Sequence, residues 1–261
     1  MAGLSSTQLA PHLFDLFGHP IYMTPFFLVL IALFSFMGIS AQSGGAVQIV
    51  ENLLVWGPTL FVGILFHELG HAAALKRFGY GPSDIILQGF GGVTINRRRQ
   101  GAPPKESIII SLAGPFASFL IAFLSLGVYV LLKGTISLEA GSLFGASGLL
   151  TRFLLTMGFI NVIWAVFNLM PINPLDGGHV VLHALRAKFG RDQRKAVRYT
   201  AITSLVALGL LVVVAIPLQI LDPFFFLILA GIFGYQNYQM LQATRRQQGP
   251  PRGGPGRPPG F

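Results

Sequence analysis

Three residues in one stretch of this chain could do chemistry together: His67, Glu68 and His71, in Phe66-His67-Glu68-Leu69-Gly70-His71. Residues four apart on a helix share a face, so the two imidazoles point the same way. Neutral imidazoles at that spacing can hold one zinc ion, and a glutamate beside the first is placed to take a proton from water. The bare pattern also arises by chance on soluble helices. Here it lies between the apolar stretches 53–65 and 72–75, and ionisable groups at membrane depth are rare outside functional sites. The setting favours a metal site.

Two histidines leave a catalytic zinc one protein ligand short, with a further position kept open for water. Asp176 is the strongest candidate for the third, within Asn168-Leu169-Met170-Pro171-Ile172-Asn173-Pro174-Leu175-Asp176-Gly177-Gly178. Pro171 and Pro174 should end the preceding helix, and non-helical backbone at that depth is tolerated where it lines a wet cavity. His179 and His183 form another i,i+4 pair. The plainer reading puts them on the polar face of a surface helix, with His179 supporting the ligands rather than joining them. Asn161 reads as a helix–helix hydrogen bond, and Trp56 and Trp164 as packing or lipid-facing residues. His12, His19, Glu51 and Asn52 read as solvated.

The elements that must position these groups are apolar helices. Of 261 residues, 52% are hydrophobic and only 10% charged, with mean hydropathy +0.66. Soluble domains carry about a quarter charged residues, so a polytopic membrane protein is expected. Six stretches approach the ~20 residues that a spanning helix needs: 21–39, 53–75, 108–132, 153–170, 201–216 and 224–240. The fifth is short and should borrow residues from 197–200, and Gly114-Pro115 predicts a kink in the third. Residues 1–20 lack Lys and Arg, so a cleaved leader is not expected. Leu13, Phe14, Leu16 and Phe17 suggest a short interfacial segment. No cysteine is present, which excludes disulfides and thiolate ligands. No internal repeat is visible.

With six spans, sixteen of the eighteen Lys and Arg fall on one side, and Lys133 and Arg152 on the other. The positive-inside rule then places both termini in the cytoplasm of a multi-pass cell-membrane protein. The net charge of +9 is thereby topological, and no nucleic-acid partner is needed to explain it. The topology also brings the two halves of the site together. Span two leaves the bilayer near Lys76, about five residues or roughly 8 Å beyond His71, and span four leaves on the same side near Asp176.

Between spans two and three, Asp84-Ile85-Ile86-Leu87-Gln88 and Val93-Thr94-Ile95-Asn96 flank Gly89-Phe90-Gly91-Gly92. This reads as a membrane-associated β-hairpin whose edge could pair with an extended peptide, or as a plain glycine loop. Residues 179–189 form an amphipathic pattern suited to the membrane interface. The Gly/Pro/Arg-rich end favours disorder. The expected organisation is one all-α polytopic domain over 1–243, carrying that hairpin, followed by a cytoplasmic tail at 244–261.

His67-Glu68-Leu69-Gly70-His71 and Asn173-Pro174-Leu175-Asp176-Gly177 on separate membrane helices resemble the site-2 protease family of intramembrane zinc metalloproteases. The resemblance extends to Phe17-Gly18-His19-Pro20-Ile21, the glycine-rich loop, Ala113-Gly114-Pro115 and Phe167-Asn168-Leu169-Met170-Pro171. It implies that His67, His71 and Asp176 bind Zn2+ and that Glu68 is the general base. It further implies that Asn168 helps bind the substrate or its oxyanion, and that Gly91 and Gly92 belong to a strand edge receiving a transmembrane protein substrate in the lipid bilayer. Many members carry a PDZ or CBS domain, for which these loops and tail are too short. The alternative is an intramembrane metal transporter using the same four residues, although transport has no need of a glutamate between two ligands.

The charge pattern generates a direct test. Reporter fusions after Gln42 and Gly141 should read extracytoplasmic, and those after Arg99, Arg191 and Arg246 cytoplasmic. A cytoplasmic signal after Gln42 would overturn the six-span topology.

Overall fold

The computed structural model describes residues 10–36, 45–89, 91–97, 101–133, 148–190, 192–215 and 223–246. In chain order the elements are β1 (His12–Leu16), β2 (His19–Met23), α1 (Pro25–Phe36), α2 (Gly45–Arg77), β3 (Ser83–Gln88) and β4 (Gly91–Asn96). They continue with α3 (Pro104–Lys133), α4 (Leu149–Asn168), α5 (Asp176–Phe189), α6 (Gln193–Ala215) and α7 (Pro223–Arg246). Among the described residues, four helices are long and apolar enough to cross a membrane: α2, α3, α4 and α6. Helix α1 is apolar but has 12 residues. Helix α6 starts at Gln193, so the fifth stretch does borrow residues on its N-terminal side. Helix α3 remains assigned as helix through Pro115. Helix α7 reaches Arg246, and of the tail expected at 244–261, residues 247–261 lie outside the described residues.

The main departure from the all-α expectation is a four-stranded sheet in the order β1-β2-β3-β4. The β3–β4 hairpin is there, pairing Ser83 with Asn96 through Gln88 with Gly91. It is joined by a second hairpin, β1–β2, where an interfacial segment and the start of the first span were expected. The turn between these strands is Phe17-Gly18, both at positive φ (52° and 84°), which suits the twist of a two-residue hairpin. Strand β2 then pairs parallel to β3, Ile21 opposite Ile85 and Met23 opposite Leu87. A parallel pair needs a crossover, and α1 with α2 supplies it. The first helix therefore begins only at Pro25, whose fixed φ suits the first helical position.

Strand β3 is central, and Ile85, Ile86 and Leu87 are all fully buried. Ile85 and Leu87 share a core with Ile21, Phe27, Trp56 and Ile64, so the sheet lies on α1 and α2. His19, expected in solvent, is 2% exposed; the Ser83 backbone N–H donates to its Nδ1 at 3.1 Å. His12 is exposed, 3.1 Å from Asp15.

The outer ends of α1, α2 and α4 are tied by polar groups. Asn52 is fully buried rather than solvated, and Arg152 is 2% exposed in the first turn of α4. The Arg152 guanidinium donates to Asn52 Oδ1 at 2.7 Å and to Glu51 Oε2 at 3.1 Å. Asn52 Nδ2 donates to Ser35 O at 3.1 Å. Burying a charge without partners is costly; Asn52, drawn inside, supplies one of them, while Arg152 Nε has none among the described residues. The Glu51 side chain stays 50% exposed. Among the described residues Asn161 shows no interhelical hydrogen bond; it donates to Met157 O on its own helix and packs where a Cβ on Gly63 of α2 would lie.

Asn52→Leu should therefore destabilise the protein by about 1–3 kcal/mol, because it strips a buried charge of a partner. Glu51→Gln, at a half-exposed position, should stay within about 1 kcal/mol. Thermal unfolding of both variants in one detergent checks the difference.

Candidate metal centre

Helix α2 carries His67, Glu68 and His71, all buried, and α3 crosses it at close range. A Cβ on Gly70 would come within 2.4 Å of Ala113 O, and one on Gly114 within 2.2 Å of His71 Nε2 and 2.8 Å of His67 Nε2. Ala113-Gly114 is thus the floor on which the two imidazoles rest. Helix α3 also orients them. His71 Nδ1–H donates to Ile110 O at 2.7 Å, and His67 Nδ1 lies 3.0 Å from Ser118 Oγ. With the hydrogen assigned to Nδ1 in both rings, each Nε2 keeps a free lone pair for a ligand.

Asp176 arrives from a separate part of the chain. Helix α4 stops at Asn168, and residues 169–175 form a turn before α5 begins at Asp176. The Asn173 N–H donates to Ser204 Oγ at 2.9 Å, and Asn237 Nδ2 donates to Asn173 O. Helices α6 and α7 thereby hold the turn from behind. Gly177 and Gly178 let the first turn of α5 press on it: a Cβ at either would lie within 2.4 Å of backbone atoms of Leu169, Met170 or Asn173. The carboxylate then sits in the first turn of a helix, where the dipole favours negative charge.

The result is a triangle of residues, each of the two Asp176 oxygens facing one histidine. His67 Nε2 lies 3.1 Å from Asp176 Oδ2, His71 Nε2 lies 3.3 Å from Asp176 Oδ1, and the two Nε2 atoms are 3.2 Å apart. A tetrahedral zinc with bonds of about 2.0–2.1 Å requires donors about 3.3–3.4 Å apart, a spacing that the two Nε2 atoms approach; one donor atom from each of the three residues can be chosen with all three within 4.8 Å of one another. Among the described residues these three form the group able to hold a metal. Glu68 is outside it.

A cavity of about 250 Å³ opens on this triangle, bordered also by Glu68, Thr94, Asn168 and His179. Asn168 Nδ2 donates to Trp164 O at 2.9 Å, which leaves its second N–H for the cavity. His179 lines the wall but is not among the three donors; burial lowers its pKa from the ordinary histidine value. Gly91, at φ 127°, faces Trp164, whose Cζ2 a Cβ would meet at 3.0 Å. Gly92 faces Glu68. Thr94, to which the sequence assigned no role, donates to Glu68 Oε2 at 2.7 Å. Ser118, Ser204 and Asn237 were also missed. Each has other polar residues near it on its own helix, Ser111 and Ser125 for Ser118, Thr203 for Ser204 and Gln236 for Asn237, so no local signal marked them.

A buried histidine pair on one helix, a carboxylate from another and a glutamate alongside define an HExxH-type metal centre inside a helical bundle. Residues 58–214 match the family model described as Peptidase family M50, and the chain belongs to that family. The zinc metalloprotease MJ0392 of Methanocaldococcus jannaschii is 28% identical over 181 residues, covering 68% of this chain and 46% of that one. Stage IV sporulation protein FB of Bacillus subtilis is 30% identical over 170 residues, covering 62% and 51%. The chain thus spans about half the length of these curated relatives. The solved site-2 protease from M. jannaschii shares the fold, with a TM-score of 0.57 at 23% identity, covering 89% of this chain and 95% of that one.

The donor triangle predicts that Asp176→Ala loses bound zinc, since two histidines leave the ion under-coordinated. Ser118→Ala should keep the site but weaken zinc about 10–100-fold, and His179→Ala should retain full zinc. Zinc per protein and zinc affinity in purified detergent samples decide this; zinc lost from His179→Ala but kept by Asp176→Ala would reverse the ligand assignment.

Proposed function

We propose that this protein is an intramembrane zinc metalloprotease that hydrolyses a peptide bond in or beside a transmembrane segment of another membrane protein. The observation that carries the reading is the convergence of His67, His71 and Asp176 on one point, with Glu68 beside them on the cavity wall. The ion, when bound, supplies Lewis acidity that acidifies water and polarises a carbonyl.

The remaining work falls to side chains. Glu68, with Oε2 held by Thr94, accepts the proton of the attacking water at Oε1 and delivers it to the leaving amine. Asn168 offers an N–H toward the carbonyl oxygen, the kind of donor that stabilises developing negative charge. A helical substrate hides its carbonyls in its own hydrogen bonds, so it must unwind before cleavage. Strand β4 ends the sheet and borders the cavity through Gly92, Val93 and Thr94, so its edge is the natural replacement partner for the unwound segment.

The reading also takes six spans in the cell membrane with both termini in the cytoplasm. Two contacts support it. Glu51 and Asn52 near the start of α2 meet Arg152 at the start of α4, while His67 and His71, far along α2, meet Asp176 just beyond the end of α4. The two helices therefore run in the same direction, as spans two and four must.

Glu68→Gln should leave the protein folded and zinc-loaded while lowering cleavage by about 10²–10⁴-fold. Membrane proteomics comparing cells that carry this variant with the parent identifies substrates as proteins whose fragments vanish. Fragments that persist unchanged would defeat the protease reading, and loss of zinc would make Glu68 a ligand.

A further inference from the structure

The proposed base is touched from outside its own helix by Thr94. Its hydroxyl lies 2.7 Å from Glu68 Oε2 and 3.1 Å from the Glu68 backbone carbonyl. Strand β4 alternates, so Gly92 and Thr94 present the same face, and both meet Glu68. A Cβ at Gly92 would fall 2.4 Å from Glu68 Cγ and 2.7 Å from both Cδ and Oε1. The side chain of Glu68 therefore lies flat on β4 backbone with no room to spare, and one carboxylate oxygen is tethered by the strand's hydroxyl.

We infer that Thr94 is a positioning residue for the general base, and that Gly92 acts with it by leaving the space in which the carboxylate is seated. The inference rests on the reading of Glu68 as base. A glutamate on a cavity wall has several rotamers open to it, and fixing it is worth on the order of its side-chain entropy. The Thr94 hydroxyl donates to Oε2, leaving Oε1 to accept a proton, and it can keep that bond whether the carboxyl group is ionised or protonated at Oε1. No metal ligand is involved in the tether. Strand β4 thereby does two things at once: the segment read as receiving the substrate is the segment that aims the base. This assigns the glycine-rich hairpin a part in turnover as well as in substrate binding.

The two roles separate kinetically. A residue that only shaped the strand edge would change KM, whereas one that aims Glu68 changes kcat. The test uses the full chain in detergent with zinc, and a substrate whose fragments vanish in Glu68→Gln cells. If no such substrate exists, the reading of Glu68 has fallen and this inference with it. Thr94→Val keeps shape and strand propensity but removes the hydroxyl. It should lower kcat about 10–100-fold with KM, zinc content and melting temperature unchanged, and Thr94→Ser should restore most of the loss. Gly92→Ala, an independent probe at the same carboxylate, should likewise act on kcat with zinc retained. Should Thr94→Val turn over like the parent while Glu68→Gln is inactive, this inference alone is overturned. It is also overturned if both Thr94→Val and Gly92→Ala raise KM at constant kcat, or if Thr94→Ser is as impaired as Thr94→Val.

Discussion

The site depends on one close approach, the crossing of α2 and α3 at Gly70 and Gly114. Without a side chain at either position, Ala113 O comes against α2 and the two imidazoles come against α3. From that contact follow the bonds of Ile110 O and Ser118 Oγ to the outer ring nitrogens. Those bonds decide which nitrogen of each histidine faces Asp176. A helix bundle gains little from hydrophobic association inside a lipid phase, so small residues and fully satisfied polar groups have to supply the specificity. Both are concentrated at this crossing.

The second half of the site is built on a different principle. Asp176 follows seven residues that belong to no helix, and their backbone groups need partners at depth. Ser204 and Asn237 meet the amide and the carbonyl of Asn173. This explains why α6 and α7, which supply none of the three donors, still carry the buried polar residues Ser204 and Asn237. The two halves are held by different helices and meet across the cavity.

The cluster of possible ligands was more legible in the sequence than the architecture around it. His67, His71 and Asp176 could be expected together because ligand spacing is local within α2 and because the charge pattern predicts that spans two and four end on one side, and the three do cluster. The helical stretches near 53–75, 108–132 and 153–170 reappear as α2, α3 and α4, since long apolar runs dominate any local signal. The first hairpin did not show, because β1 changes register between His12 and Phe14 and its strands blend into the apolar run of α1. The burial of His19 and Asn52 was equally hidden: their partners, Ser83 and Arg152, lie 64 and 100 residues away. Thr94 could be placed on a strand, but nothing in the pattern of β4 says which helix that strand will cover.

The order of the sheet has a consequence for aggregation and docking alike. Strand β2 covers one side of β3, a side that would otherwise be an open template for any extended chain. The N-terminal hairpin works as a stopper. It displaces the far boundary of the sheet to β1 and leaves β4 as the boundary beside the cavity. On the proposed reading, an incoming segment that adds there meets the cavity wall that carries the glutamate, whereas β3–β4 without β2 would offer two boundaries.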